Sequence, residues 1–363
     1  MIATLLFRPL CCILLALTSR ADILEKNHMI RDNGLPWHIQ GISWFGFETQ
    51  DMVMNGLWSH PMTFYMDLLQ QEGFNAMRVP FSSEWILYHF DSYPYDGLLG
   101  SDPERQHKKS IEILDDVFDM AHTRGIRILL DLHRLKWDYI SELWYSTVDE
   151  RFTSDTFLQA WYAVLDRYQG HPALWGVDLL NEPHGTATWG TGDHSNDWRL
   201  FAEYALAQIE ARYTNATWIY MVEGVGWGKD LTGAAYAPLR PPISAVNRTV
   251  YSVHNYGKSV VSSVNPYDVN SLHQDWDAHF GFLPYVITGE YGGLDTIDEP
   301  WMENYAKYLI TKNITDTFFW SLGPNSGDVA GYLHDDWTTV DTFKRELVQS
   351  LGRGVGGLRP SDV

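Results

Sequence analysis

Cysteine is almost missing from this chain of 363 residues: the two present, Cys11 and Cys12, stand side by side in the first apolar stretch. If that stretch is cut away as a leader, no thiol remains, which excludes a disulfide framework, a cysteine zinc site and a cysteine nucleophile. Long hydrophobic runs are also missing. The apolar stretch from Leu10 to Leu17 falls well short of the roughly 18 to 20 residues a membrane span needs, and no later segment reaches that length. Positive charge is scarce too, with 26 Lys and Arg against 46 Asp and Glu, a formal net charge of −20. Such a surface repels nucleic acid, anionic lipid and acidic polysaccharide, and a neutral polymer is the better partner.

The first residues read as a secretory signal: Arg8 in a short positive region, the apolar stretch, then Ser19-Arg20-Ala21 with small residues at the recognition positions. Cleavage is expected after Ala21, giving a secreted, extracellular protein of net charge −22, since two arginines and no acids are lost. Without disulfides the chain must be held by its core, which a domain this large can supply. Three acceptor sequons begin at Asn215, Asn247 and Asn313 and fit an exported glycoprotein.

The rest of the chain alternates between strand-like and helix-like runs. Apolar runs at Ile39 to Trp44, Ala76 to Pro80, Ile126 to Leu132, Leu174 to Leu180, Trp218 to Val222, Val250 to His254, Tyr285 to Gly289 and Thr317 to Ser321 read as eight strands. Between them, helical spacing recurs in Ile111, Leu114, Val117, Phe118 and Ala121, in Phe157, Trp161, Val164, Leu165 and Tyr168, and in Trp198, Phe201, Ala205 and Ile209. Met62 to Gln71, Glu299 to Ile310 and Thr342 to Ser350 complete the helices. A strand period of roughly 30 to 50 residues is that of a strand, crossover helix and loops, so an α/β fold is expected, a single-domain (β/α)₈ TIM barrel over residues 22–351. Asp32-Asn33-Gly34 is a hairpin signal, placing a short β-hairpin at residues 28–38 that closes the barrel bottom. Residues 352–363 read as a short polar, Gly-rich tail, and a monomer is expected.

Two glutamates stand at the downstream ends of apolar runs, Glu182 in LLNEPHG and Glu290 in VITGEYGG. Two carboxylates delivered from two strand ends are the equipment for cleaving a glycosidic bond, one protonated to release the sugar oxygen and the other an anion that attacks the anomeric carbon or activates water. In a (β/α)₈ barrel reactive groups cluster where strands emit their loops. Arg78, His133, Asn181, His254, Tyr256 and Trp320 hold the equivalent positions on other strands, so all would meet at one mouth. Sixteen tryptophans and twenty tyrosines provide flat rings of the kind that stack on sugar faces.

On these residues the chain resembles glycoside hydrolase family 5, and in particular its secreted endo-β-1,4-glucanase branch. The likeness runs through GISWFGFET, GLWSH, MRVPF, ELWYS, NEPHG, WGTGD, DWRL, VEGVGWG and FFWSLGPNSGD. The eight residues that mark the family find matches in Arg78, His133, Asn181, Glu182, His254, Tyr256, Glu290 and Trp320. The resemblance implies a retaining double displacement on β-1,4-glucan, with Glu182 as acid/base and Glu290 as nucleophile. Arg78 would keep Glu290 ionised, the Tyr256 hydroxyl would hold its attacking oxygen in line, Asn181 would bond the sugar 2-hydroxyl, His133 and His254 would position ring and carboxylate, and Trp320 would floor the reacting sugar. No cofactor and no metal are implied.

Trp44, Trp144, Trp189 and Trp227 are candidate outer sugar platforms. Asp131 and Asp178 lie inside strand runs and read as buried hydrogen-bonding groups, Glu223 as a residue able to help build the site, and Glu48 as a loop anchor. Relatives with the same eight residues cut mannan, xylan, xyloglucan or β-1,3-glucan, so another β-glycan is the alternative substrate. A non-catalytic glycan-binding protein using the same cleft is the alternative from another class.

Overall fold

The computed structural model describes residues 31–353 apart from 33–34. The expected signal segment, with Cys11 and Cys12, and the tail beyond Arg353 lie outside the described residues. The elements are β1 (Arg31–Asp32), β2 (Leu35–Pro36), β3 (Gln40–Ser43), α1 (Met62–Gln71), β4 (Ala76–Ser82), α2 (Ser110–Thr123), β5 (Arg127–Arg134), α3 (Ser154–Tyr168), β6 (Leu174–Asp178), α4 (Trp198–Arg212), β7 (Ile219–Glu223), β8 (Thr249–Tyr256), α5 (Val269–Trp276), β9 (Ile287–Gly292), α6 (Asp295–Lys312), β10 (Thr317–Phe319) and α7 (Thr342–Arg353). Strands β3 to β10 form a closed parallel barrel, sealed where β10 pairs with β3. This is the expected (β/α)₈ fold, and all eight strand runs read from the sequence belong to it. Helix α7 continues two residues into the expected tail.

Parallel strands flanked by helices are buried on both faces, which explains runs such as AMRVPFS, buried at every position. The helices carry their apolar stripes toward the barrel: Ile111, Leu114, Val117, Phe118 and Ala121 of α2 are all buried. Their starts are chemically marked. Thr153 accepts from the Thr156 N–H at the head of α3, and Asp197 does the same for Leu200 in α4.

One crossover departs from the pattern. Between β7 and β8 the chain forms short 3-10 turns at Thr232–Ala235 and Ile243–Arg248 in place of an α-helix. Pro238, Pro241 and Pro242 stand there, and each removes a backbone donor and clashes with the preceding turn of a helix. Conversely α5 has no counterpart in the sequence reading, because its buried stripe is only Leu272 and Trp276.

Inside the barrel, side chains alternate with period two along each strand and so form layers. The lower layers are apolar: Ile39, Ala76, Leu129, Trp175, Ile219, Met221, Val250, Tyr285, Ile287 and Phe318 make a separate core cluster. Trp37, next after the β1–β2 ribbon, packs on that cluster with its ring edge-on to Trp175 at 5.2 Å, so the chain entering the barrel covers its floor. Two residues further along several of these strands the chemistry changes, from Leu129 to Asp131, from Met221 to Glu223 and from Val250 to Ser252, all buried, with His254 next on the same face. The apolar plug thus carries a polar upper layer on its back.

Phe318 is fully buried in the plug. Its replacement by Ala is expected to lower unfolding free energy by about 3–5 kcal/mol through lost burial and a residual cavity. The urea midpoint measures this, and a change below about 1 kcal/mol would mean that the plug does not support the barrel.

Candidate active site

Arg78 sits in the middle of β4 with no solvent exposure, and its guanidinium gathers the upper layer. Nε donates to Asp178 Oδ2 at 3.0 Å, one terminal nitrogen lies 3.1 Å from Asp131 Oδ2 and 3.3 Å from Glu223 Oε1, and the other bonds Glu290 Oε1. The same guanidinium donates to Asn181 Oδ1 at 2.9 Å. That bond turns the Asn181 amide nitrogen away from Arg78, and among the described residues it has no hydrogen-bond partner. Asp131 also meets His133 Nδ1 at 2.6 Å, and burial holds the His133 imidazole neutral, well below its usual pKa. Asp131 and Asp178 are therefore buried partners of Arg78, as read from the sequence.

Glu290 reaches the cluster through an irregularity in β9. Val253 pairs with Thr288 but His254 pairs with Glu290, so Gly289 is an extra residue on that strand. A side chain there would lie 2.4 Å from Ser252 Oγ and 2.9 Å from His254 Nε2; only glycine fits. The slip brings Glu290 beside Arg78 and the Tyr256 hydroxyl, which donates to Glu290 Oε2 at 2.7 Å.

Glu182 follows β6 with a φ of 51°, a left-handed conformation uncommon for a residue with a side chain. One of its oxygens, one of Glu290 and a nitrogen of His254 lie within 4.8 Å of one another. The surroundings drive the two acids apart. Burial, together with the nearby charges of Glu290 and Glu223, pushes Glu182 up to about 7 against the pull of His254. Burial also disfavours charge on Glu290, but His254 and Arg78, helped by the Tyr256 hydroxyl, outweigh it and hold that carboxyl below its ordinary value. One acid keeps its proton at mildly acidic pH while its neighbour is an anion.

Trp320 follows β10, its ring parallel to those of His133 at 5.2 Å and Phe45 at 5.4 Å, and its Nε1 donates to Ser326 Oγ. The reading of Trp44 as a sugar contact is corrected: it is 1% exposed, packs on Tyr65 and donates through Nε1 to the Asn55 carbonyl, so no ring face is open to a sugar. Trp144 and Trp189 are likewise buried, against Phe201 and Gly233. Trp227 is different, 52% exposed and stacked 3.5 Å above His184, whose Nδ1 meets the Glu182 carbonyl. Glu48 is buried and accepts from the Gly46 N–H at 2.7 Å, which fits a loop anchor.

Residues 36–326 match the cellulase family described as glycosyl hydrolase family 5. The chain belongs to that family. The family 5 relatives include an endoglucanase of Paenibacillus polymyxa, 35% identical over 91% of this chain and 85% of that protein. The major extracellular endoglucanase of Xanthomonas campestris pv. campestris is 34% identical over 93% of this chain and 72% of its own length. The solved catalytic domain of the Xanthomonas enzyme superposes with a TM-score of 0.81, covering 90% of this chain and 99% of that domain. An endocellulase from Pyrococcus horikoshii, solved in complex with cellotetraose, is 30% identical with a TM-score of 0.79 over 88% of this chain and 93% of its own. This family 5 protein is a glycoside hydrolase of the endoglucanase type.

Two overlapping triads, Asp178–Glu223–His254 and Glu182–His254–Glu290, have the ligand types to hold a metal ion. Arg78, however, contacts Asp178, Glu223 and Glu290 directly, so a second cation would face a fixed positive charge at hydrogen-bonding distance. The set is built around a guanidinium, and activity is expected to be indifferent to a chelator; a loss reversed by added divalent metal would contradict this. A bell-shaped dependence of kcat/KM on pH is also expected. Its alkaline limb should fall near pH 7, as Glu182 loses the proton that its surroundings hold to about 7, and its acid limb should lie below 4.5, as Glu290 is neutralised. A profile flat to pH 9 would contradict these roles.

Proposed function

We propose that this protein is a secreted enzyme that cuts internal β-1,4-glucosidic bonds of cellulose or a related β-glucan with retention of configuration. The observation that carries this reading is the close approach of Glu182 and Glu290, within 4.8 Å oxygen to oxygen, in surroundings that protonate one and ionise the other. Retaining glycosidases hold their carboxyls about 5–5.5 Å apart, whereas inverting ones leave about 6.5–9.5 Å for a water. So close an approach supports the retaining arrangement.

In the first step Glu290 attacks the anomeric carbon while Glu182 gives its proton to the departing glucan oxygen. The Tyr256 hydroxyl and Arg78 hold the two Glu290 oxygens in fixed directions, so the attacking one needs no search. Esterification then removes the Glu290 charge that helped keep Glu182 protonated, and Glu182 becomes able to take a proton from incoming water. The Asn181 amide nitrogen, unpartnered among the described residues, is available for the sugar 2-hydroxyl. Trp227, open to solvent and braced on His184, is a platform for the leaving-group side of the chain.

The substrate class follows from the endoglucanase relatives and from a strongly acidic surface that favours a neutral polymer. Export is supported by the signal-like pattern in residues 1–21 and by the name of the extracellular relative, and among the described residues no helix is long and apolar enough to cross a membrane. Asn215, Asn247 and Asn313 are all exposed and precede β7, β8 and β10, at the barrel end opposite the site, so glycans there would leave the cleft clear.

Glu182→Gln and Glu290→Gln are each expected to lower hydrolysis of β-glucan by at least about 10³-fold while leaving the thermal midpoint within a few degrees. Proton NMR of early wild-type product should reveal the β-anomer first. Near-normal turnover by either variant, or initial α-anomer, would reject the mechanism.

A further inference from the structure

Glu223 ends β7, is fully buried, and touches three members of the site at once. Its Oε2 accepts the backbone N–H of Glu182 at 2.8 Å. Its Oε1 lies 3.3 Å from Arg78 and 3.1 Å from His254 Nε2. It is one of four carboxyl groups around the Arg78 guanidinium, beside Asp131, Asp178 and Glu290. Its other two contacts both lead to Glu182.

The first contact concerns backbone shape. Glu182 holds a φ of 51° and precedes Pro183, and a residue with a side chain stays in that region only where its neighbours over-determine it. The Glu223 carboxylate supplies a charge-assisted bond to that residue's N–H. Glu223 is itself fixed, its carbonyl accepting Trp198 Nε1 at 2.9 Å. The loop also closes over it at Gly228, where a side chain would come within 2.7 Å of Glu223 Oε2 and 3.0 Å of His254 Cγ.

The second contact runs through the imidazole. His254 Nδ1 lies 3.1 Å from Glu182 Oε1, and Nε2 lies 3.1 Å from Glu223 Oε1, too poorly aligned for a hydrogen bond but close enough for the carboxylate's charge to favour a proton on Nε2. With that proton in place, a neutral ring presents its Nδ1 lone pair to a protonated Glu182, and a charged ring donates from Nδ1 to an ionised one. Glu182 therefore finds a complementary partner in both of the states through which an acid/base must pass.

We propose that Glu223 is a positioning residue for the acid/base: it holds the Glu182 backbone in its left-handed turn and sets the proton on His254 so that the ring serves Glu182 in either protonation state. The proposal rests on Glu182 being the acid/base, as argued above. Its signature is a loss that grows with the need for proton donation. The test compares kcat/KM for cello-oligosaccharide with that for 2,4-dinitrophenyl β-cellobioside, whose phenolate departs without a proton, in wild type, Glu223→Ala, Glu223→Gln and Glu182→Gln.

Glu223→Ala is expected to lose roughly 10²-fold on the oligosaccharide, and at least about ten times less on the aryl glycoside. Glu223→Gln, which keeps an oxygen for the Glu182 N–H but no charge, should give the same pattern with a smaller loss; it also carries the test if the alanine variant does not fold. Equal losses on both substrates, or no loss on either, would overturn the proposal. The Glu182→Gln control separates the two levels: if it lacks the leaving-group dependence, the acid/base assignment itself fails, whereas if it has that dependence and the Glu223 variants do not, only the role of Glu223 falls.

Discussion

The upper half of this barrel is organised by one buried guanidinium. Four carboxylates, from Asp131, Asp178, Glu223 and Glu290, converge on Arg78 from four other strands, and a fifth, Glu182, stands next to Glu290. Burying so many acids around Arg78 and His254 is costly unless some remain neutral. The protein divides the protons unequally: Asp131 and Glu182 are pushed up to about 7 and Asp178 well above its usual range, all mainly by burial, while Glu290 is held low. The difference between the two central glutamates is thus a property of the whole cluster. Arg78 anchors the arrangement because its planar fork contacts Asp178, Asn181, Glu223 and Glu290 in fixed directions, which a lysine could not do.

Much of this was legible in the amino-acid order because a barrel writes its chemistry simply. Each strand is an apolar run whose polar residues fall at one end, so Arg78, His133, Asn181, Glu182, His254, Tyr256, Glu290 and Trp320 stood out, and the structure brings them to one end of the barrel. The period-two step also marks depth: Leu129, Asp131 and His133 share one face, and their polarity rises toward the loops.

What was not legible depended on phase and contact. Trp44, Trp144, Trp189 and Trp227 look alike in the sequence, yet three are core and one is open, since a tryptophan beside a strand end can turn to either side of the wall. Glu223 was visible as a polar strand end, but its significance lies in the left-handed turn at Glu182 and in the second nitrogen of His254, neither of which has a spacing signature. A regular (β/α)₈ repeat calls for a helix after β7, and the prolines at 238, 241 and 242 stand against one.

The hydrophobic plug in the lower barrel has a further consequence for traffic. Among the described residues, Ile287, Phe318, Trp175 and their neighbours fill the lumen and Trp37 packs on them from below, so the chamber is closed on that side. In a double displacement, the water that resolves the covalent intermediate must then arrive by the doorway through which the severed chain departs. Under the proposed mechanism, turnover on a long polymer is thereby tied to how readily the leaving fragment vacates the stretch beside Trp227, and a fragment slow to leave would obstruct its own replacement by solvent.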